Sequence, residues 1–507
     1  MRNLISATLF VGVLGSSFLA AAQGGGPPPS LPDVPEPAEN PITEPKRLLG
    51  KILFWDEQLS STNTMSCGTC HIPAFGGADP RLGLHPGADE VFNTDDDIIG
   101  SPGVPRRDSN GDPVSDPLFG NARQVTGRAA QSYFASMFSD ENFWDGRASS
   151  TFIDPEDEVT VVIAEGGGLE SQAVGPILSS VEMAFEGRTW DDVRNKLAGA
   201  IPMLLASNLP PDLEAALDAN PSYPELFNAA FGSSAITASR IGMAIASYER
   251  TLVADQTPWD LFNDGDNSAL TANQQQGLDF LVQDTPCFNC HEPPLFSDDN
   301  FRNIGLRPSA EDLGRQEVSG QGQDAGEFKT PSLRNIGLRA SLMHVGWVTD
   351  VQDAIDFYNA GTQNTGHVQF TADQDDIPGG GGGGGGGGGV DEINEINIPA
   401  NMQDEIVDFL VNGLTDPRVA AEEFPFDRPT LLSEMTFSNE IHVDFDFDGM
   451  EDGSASKPYD TLDEAMIHVN VAGTLVIQPG SADAAMTLSF PVTITAASGT
   501  VTLGATP

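Results

Sequence analysis

Two short stretches decide the reading: Cys67-Gly68-Thr69-Cys70-His71 and Cys287-Phe288-Asn289-Cys290-His291. Each is C-x-x-C-H, the spacing at which two thioethers hold a porphyrin while the adjacent histidine reaches its iron. Together they use all four cysteines of the chain. A redox dithiol accounts neither for the repetition nor for the histidine that follows each time. Cys67, Cys70, Cys287 and Cys290 are therefore expected to attach two covalent c-type haems, with His71 and His291 as proximal ligands.

The sequence around these motifs reads as helical. An amphipathic pattern over 44–56, with Leu48, Leu49, Ile52 and Leu53 on one face, leads into the first motif. Thr271-Ala-Asn-Gln274 has the pattern of a capping box and opens a helix to about residue 283, which delivers the second. Further helical patterns fall at 189–200, 223–231, 237–252, 350–361 and 401–414. The expected fold class is mainly α, with two cytochrome c-type haem domains at 44–235 and 236–428. From about residue 430 the helical period gives way to β-rich runs such as Thr474–Gln478 and Val492–Ala496, broken by Pro479-Gly480 and Gly499. This 429–507 tail resembles the start of a right-handed parallel β-helix, with room for one or two coils. A lone rung cannot bury its own face.

Other segments carry no core. Residues 1–22 have a charged Arg2, a short apolar run and Ala20-Ala21-Ala22, the form of a cleaved signal peptide. Export to the periplasm or beyond is expected, with no membrane span. Residues 23–43 form a Pro/Gly linker, and the glycine run 379–389 is a flexible insertion within the second domain. The 74 acidic residues against 24 basic ones give a net charge of −50, which excludes nucleic-acid binding and suits a cationic protein partner. Asp95–Asp97, the Asp108–Asp112 loop and Asp444–Gly449 have oxygen spacings that Ca²⁺ can use, although a solvated acidic turn explains each as simply.

At this point the chain resembles the bacterial diheme cytochrome c peroxidase family, including its MauG-type members, over residues 43–415. The segments that carry the likeness occur in order: Leu49–Asp56, Phe143-Trp-Asp-Gly-Arg-Ala148, Gln172–Pro176, Val181–Met183, Ile245–Leu252, Phe328–Asn335 and Met343-His344-Val345-Gly346. The resemblance implies a peroxidatic N-terminal haem and an electron-receiving C-terminal haem. It implies that Glu182, six residues after Pro176, is the distal acid/base, that Gln172 holds peroxide or water, and that Trp144 relays electrons. Heterolysis of an O–O bond needs such a group, because a proton must leave one oxygen and reach the other. His85 falls near the family's loop histidine, which blocks the peroxidatic iron at rest. Counting 14 residues from His344 reaches Tyr358, where typical members have a methionine ligand and the MauG-type branch has tyrosine.

Three departures accompany the likeness. About 20 extra residues (150–169) separate the Trp144 segment from Gln172. The calcium-site asparagine falls on Ala129, which leaves Ca²⁺ between the haems an open question. Val345 replaces an acidic residue. The leading expectation is an exported peroxidase that reduces H₂O₂ to water with electrons from a small cytochrome c or cupredoxin. The alternatives are a MauG-like enzyme that oxidises side chains of a partner protein, and a non-enzymatic electron-transfer cytochrome. Homodimers are common in the family.

Overall fold

The computed structural model describes residues 30–360, 396–434 and 438–447, together with parts of 454–503. The signal peptide, the start of the linker, the glycine run, His367 and His468 lie outside the described residues. The chain divides into two compact units, one of residues 1–203 with 210–428, the other of residues 204–209 with 429–507. Both haem motifs lie in the first unit.

Six helices organise that unit. They are α1 (Glu44–Trp55), α2 (Gly168–Leu178), α3 (Ala238–Glu249), α4 (Ala272–Asp284), α5 (Val351–Ala360) and α6 (Ala400–Asp408). Helix α1 runs up to the first motif, and Leu49, Ile52, Leu53 and Trp55 on it are fully buried. It packs along α3, and the two backbones meet where Gly50 faces Ala244; a Cβ at Gly50 would collide with the Ala244 carbonyl. Trp55 Nε1 donates to Tyr248 Oη across the same seam (3.1 Å). Helix α3 follows residue 236, the expected start of the second domain, yet it packs against α1 and α2 of the first. The expected boundary at 235/236 thus separates α3 from the helices it packs against. Hydrophobic period locates helices but not the partner that covers their apolar face.

The second haem half repeats this device. Helix α4 leads into Cys287 and crosses α6 where Gly277 faces the Glu405 carbonyl. Its core gathers Trp259, Leu278, Leu281, Phe296, Phe357 and Phe409. A further repeat links the halves. Residues 134–150 and 334–350 share one succession of turns. Left-handed residues recur at Ala135 and Asn335, Phe143 and Met343, and Gly146 and Gly346, and the bridges Asn142–Ala148 and Leu342–Val348 match. Trp144 and His344 occupy equivalent positions in this repeat, and their rings stand 6.2 Å apart.

Residues 150–169, the extra length in the distal segment, form a small hairpin, Phe152–Ile153 against Val161–Ile163, before α2 begins. In the second unit, Val469–Ile477 pairs in parallel with both Ser438–Val443 and Thr493–Ala496, and Gly480–Ala482 pairs in parallel with Val501–Leu503. Ile441, Val443, Leu475 and Ile477 form its buried core. Residues 204–209 join this unit through the Ser207–Thr430 bridge, which the expected 429–507 boundary omits.

Candidate functional site

The first motif is a one-turn helix, Cys67–Cys70, whose Ser66 N–H donates to Thr69 Oγ1 (2.9 Å). Gly68 lies against the Trp55 ring, where any side chain would collide. The His71 Nδ1 bonds the Gly77 carbonyl (2.9 Å), so Nδ1 carries the proton and Nε2 keeps a lone pair for a metal. The second motif repeats this chemistry, with His291 Nδ1 on the Phe296 carbonyl (3.1 Å). Burial holds both imidazoles below their usual value, in the neutral form that ligates iron. The four cysteines form no disulfide. Two free thiols beside a half-buried, tautomer-locked histidine, twice, fit covalent haem better than any other group.

Each motif opens on its own cavity. The first, of about 420 Å³, is lined by Cys70, His71, His85, Trp144, Gln172 and Glu182. The second, of about 190 Å³, is lined by Cys287, Cys290, His291, Met343, His344 and Tyr358. Trp144 lines both. Its indole donates to the Ala129 carbonyl (2.9 Å), and its own carbonyl accepts from Lys329 N (2.8 Å). The tryptophan is thus pinned in the wall between the cavities.

Glu182 lies in the turn that follows α2, and its N–H bonds the Ser179 carbonyl (3.2 Å). Residues 180–183 are turn rather than helix. The strand Pro102–Pro105 presses on this turn, with Val104 N donating to Val181 O (2.9 Å). Only glycine fits at 103, because a Cβ would enter the Val181 carbonyl. Burial pushes the Glu182 carboxyl above its usual value, against a hydrogen bond from Ser179 and the charge of Arg147. Gln172 projects into the same cavity from α2.

His85 ends the short strand Gly83–His85. Gly87 N–H donates to its Nδ1 (3.2 Å), so the neutral ring carries its proton on Nε2. That is the wrong tautomer for an iron ligand, and ligation requires this hydrogen bond to be exchanged. Tyr358 projects from α5, and burial raises its phenol, so a tyrosinate there needs a cation to balance it.

Near Ala129 the carboxylates are already satisfied. Arg128 binds Asp145 (2.6 Å) and Asp312 (2.6 Å), and the Ala129 carbonyl is taken by Trp144. Among the described residues no cluster of three or more His, Cys, Asp or Glu is placed to hold a metal ion.

Residues 44–268 match the model of the di-haem cytochrome c peroxidase family. The methylamine utilization protein MauG of Methylorubrum extorquens is 31% identical over 341 residues, covering 66% of this chain and 75% of that protein. The chain belongs to the di-haem cytochrome c peroxidase family. This peroxidase is also 29% identical to the cytochrome c551 peroxidase of Pseudomonas aeruginosa, over 62% of its own length and 72% of the relative's. A solved MauG-like protein associated with microbial copper homeostasis shares the fold, with a TM-score of 0.50 at 22% identity, covering 78% of this chain and 97% of that one. The chain is thus an oxidoreductase of the cytochrome c peroxidase type with two c-type haems, and the plain electron-carrier reading is set aside. No described helix is long and apolar enough to cross a membrane.

Sequence reading passed over one group in the first cavity. Glu249, the last residue of α3, is 3% exposed, and its Oε2 has no partner. Burial pushes its carboxyl from 4.5 up to about 8. Between those values the folded chain holds a proton that the unfolded chain has released, so stability falls as pH rises through that window. Each pH unit there corresponds to about 1.4 kcal/mol. Thermal unfolding of Glu249→Gln and wild type is expected to coincide below pH 4.5 and to separate in the variant's favour towards pH 8. A difference independent of pH would refute the assignment.

Proposed function

We propose that this peroxidase reduces H₂O₂ to water in the first cavity, with Glu182 as acid/base and Gln172 holding the substrate. One observation supports the reading above all: a half-buried carboxyl whose proton affinity is raised by desolvation shares the His71 cavity with Gln172. When bound, the haem iron supplies the redox centre at which the O–O bond is cleaved. The Glu182 carboxylate accepts a proton from one peroxide oxygen and returns it to the other, so that the departing group leaves as water. The Gln172 amide holds the peroxide in line with that carboxylate. Two electrons and two further protons complete the conversion to two waters. The electrons come from a small cytochrome c or cupredoxin, and a basic donor is steered by the net charge of −50. Trp144, in the wall between the cavities, is the route we assign to them. The 1–22 segment supports an exported, periplasmic location. The parallel strands of the tail support the start of a β-helix.

Tyr358 in the His291 cavity favours a second reading, a MauG-like enzyme that uses peroxide to oxidise a partner protein. An anionic oxygen ligand lowers a haem potential and favours oxidised iron. The His85 tautomer favours the same reading, because its Nε2 carries the proton and would have to lose it before binding an iron in the first cavity. An optical and near-infrared spectrum of the diferric protein with one equivalent of H₂O₂ separates the two. A prompt high-valent spectrum without prior reduction supports the MauG-like reading. No change until one haem is reduced supports the gated peroxidase and a ligated His85.

A further inference from the structure

Three arginines line the cavity that holds His291: Arg302, Arg307 and Arg339. The first two have carboxylate partners, Arg302 in Asp298 and Arg307 in Glu311 (2.9 Å). Arg339 has none among the described residues. Its Nη2 donates to two backbone carbonyls, Ser332 O (2.9 Å) and Arg334 O (3.0 Å), and its buried Nε has no partner at all. The stem is clamped, since Gly76 leaves just enough room for Arg339 Cγ. Burial with no compensating carboxylate pulls the guanidinium down to about 10, still protonated at neutral pH. Carbonyl dipoles orient such a group but do not neutralise it, and a buried cation without a counter-charge is strongly disfavoured.

A c-type haem carries two propionate carboxylates. Arginine is the side chain best matched to a carboxylate, through its planar fork of donors. We propose that Arg339 is the binding residue for a propionate of the haem attached at Cys287 and Cys290, and that its charge raises that haem's reduction potential. The inference rests on the haem reading of the second cavity. A fixed cation beside a propionate cancels the negative charge that would otherwise stabilise ferric iron, so its removal lowers the potential.

The test is a spectroelectrochemical titration of the full-length two-haem protein that resolves both potentials, in wild type, Arg339→Lys, Arg339→Met and Arg339→Gln. The Met and Gln variants are expected to move the His291 haem negative by about 59 mV, a tenfold change in its reduced-to-oxidised ratio for one electron. The Lys variant should keep most of the wild-type potential, and the His71 haem should move less in every case. If Arg339→Met does not accumulate with both haems, Arg339→Gln, which keeps two donors, carries the comparison. Unchanged potentials in Met and Gln would overturn the proposal, as would an equal fall in Lys and Met; the arginine would then be a brace for the 332–334 carbonyls. A wild-type protein with a single haem in a pyridine haemochromogen assay would instead sink the two-haem reading, before any variant is compared.

Discussion

Glu182→Gln is expected to lower the peroxidase turnover by about 10²–10⁴-fold, the range carried by a positioned acid/base. Glutamine keeps the shape and can hold a hydrogen bond but cannot accept the peroxide proton. Both haems should remain attached, because glutamine preserves the shape of the side chain and the turn that carries it is held by backbone bonds to Ser179, and the loss should fall on kcat rather than KM. The pH profile offers a second check. Burial raises the Glu182 proton affinity, so the wild-type rate should decline on the acid side at a pH above the ordinary carboxylate value. As pH falls through that point the carboxylate is protonated and the base is lost. The variant should lack this acid limb. A Glu182→Gln rate close to wild type, with the limb intact, would move the role to another group, such as Glu249, the other glutamate lining the same cavity.

Arg250→Met should have the largest effect on stability, a loss of about 3–5 kcal/mol, the cost of leaving a buried charge unpaired. Arg250 and Glu170 form a two-pronged pair (2.7 and 2.9 Å) in which neither side chain is more than 2% exposed. Asn40 joins from before α1, donating to Glu170 (2.7 Å), and Arg250 also reaches the carbonyls of Pro35 and Gly166. The network ties the approach to α1, the start of α2 and the end of α3 together. Urea unfolding of the holoprotein, followed by circular dichroism, measures the change. A loss below about 1 kcal/mol would be that of an exposed pair and would refute the assignment. Replacing both partners by apolar residues should recover much of the deficit. Gln172 lies on α2 two residues beyond Glu170, so the single variant should also disturb substrate positioning.

The chemistry-bearing residues were legible in the sequence because covalent attachment demands a contiguous spacing. C-x-x-C-H needs five neighbouring residues, and nothing distant can supply it. The helices leading to each motif were legible for a similar reason, since a 3.6-residue period records which face is buried. Helix α2 was missed as an element: Gly168, Gly175 and Pro176 weaken its propensity, and it forms because Glu170 is locked to Arg250 from another part of the chain.

By itself, then, the sequence determined the family with its two haems, the helical content and the two C-x-x-C-H motifs on which the proposed proximal histidines rest, because these depend on local spacing or on the order of segments along the chain. The resemblance already implied that Glu182 and Gln172 serve one haem; only the tertiary structure decided that α3 packs on the helix leading to the first motif and that Trp144 lines both cavities with its ring 6.2 Å from that of His344. Only folding, too, left Arg339 without a carboxylate among the described residues and Glu249 without a partner for its Oε2. The reason is physical. Burial and charge compensation depend on what approaches from elsewhere in the chain, and an isolated glutamate or arginine in a sequence carries no record of its neighbours in space.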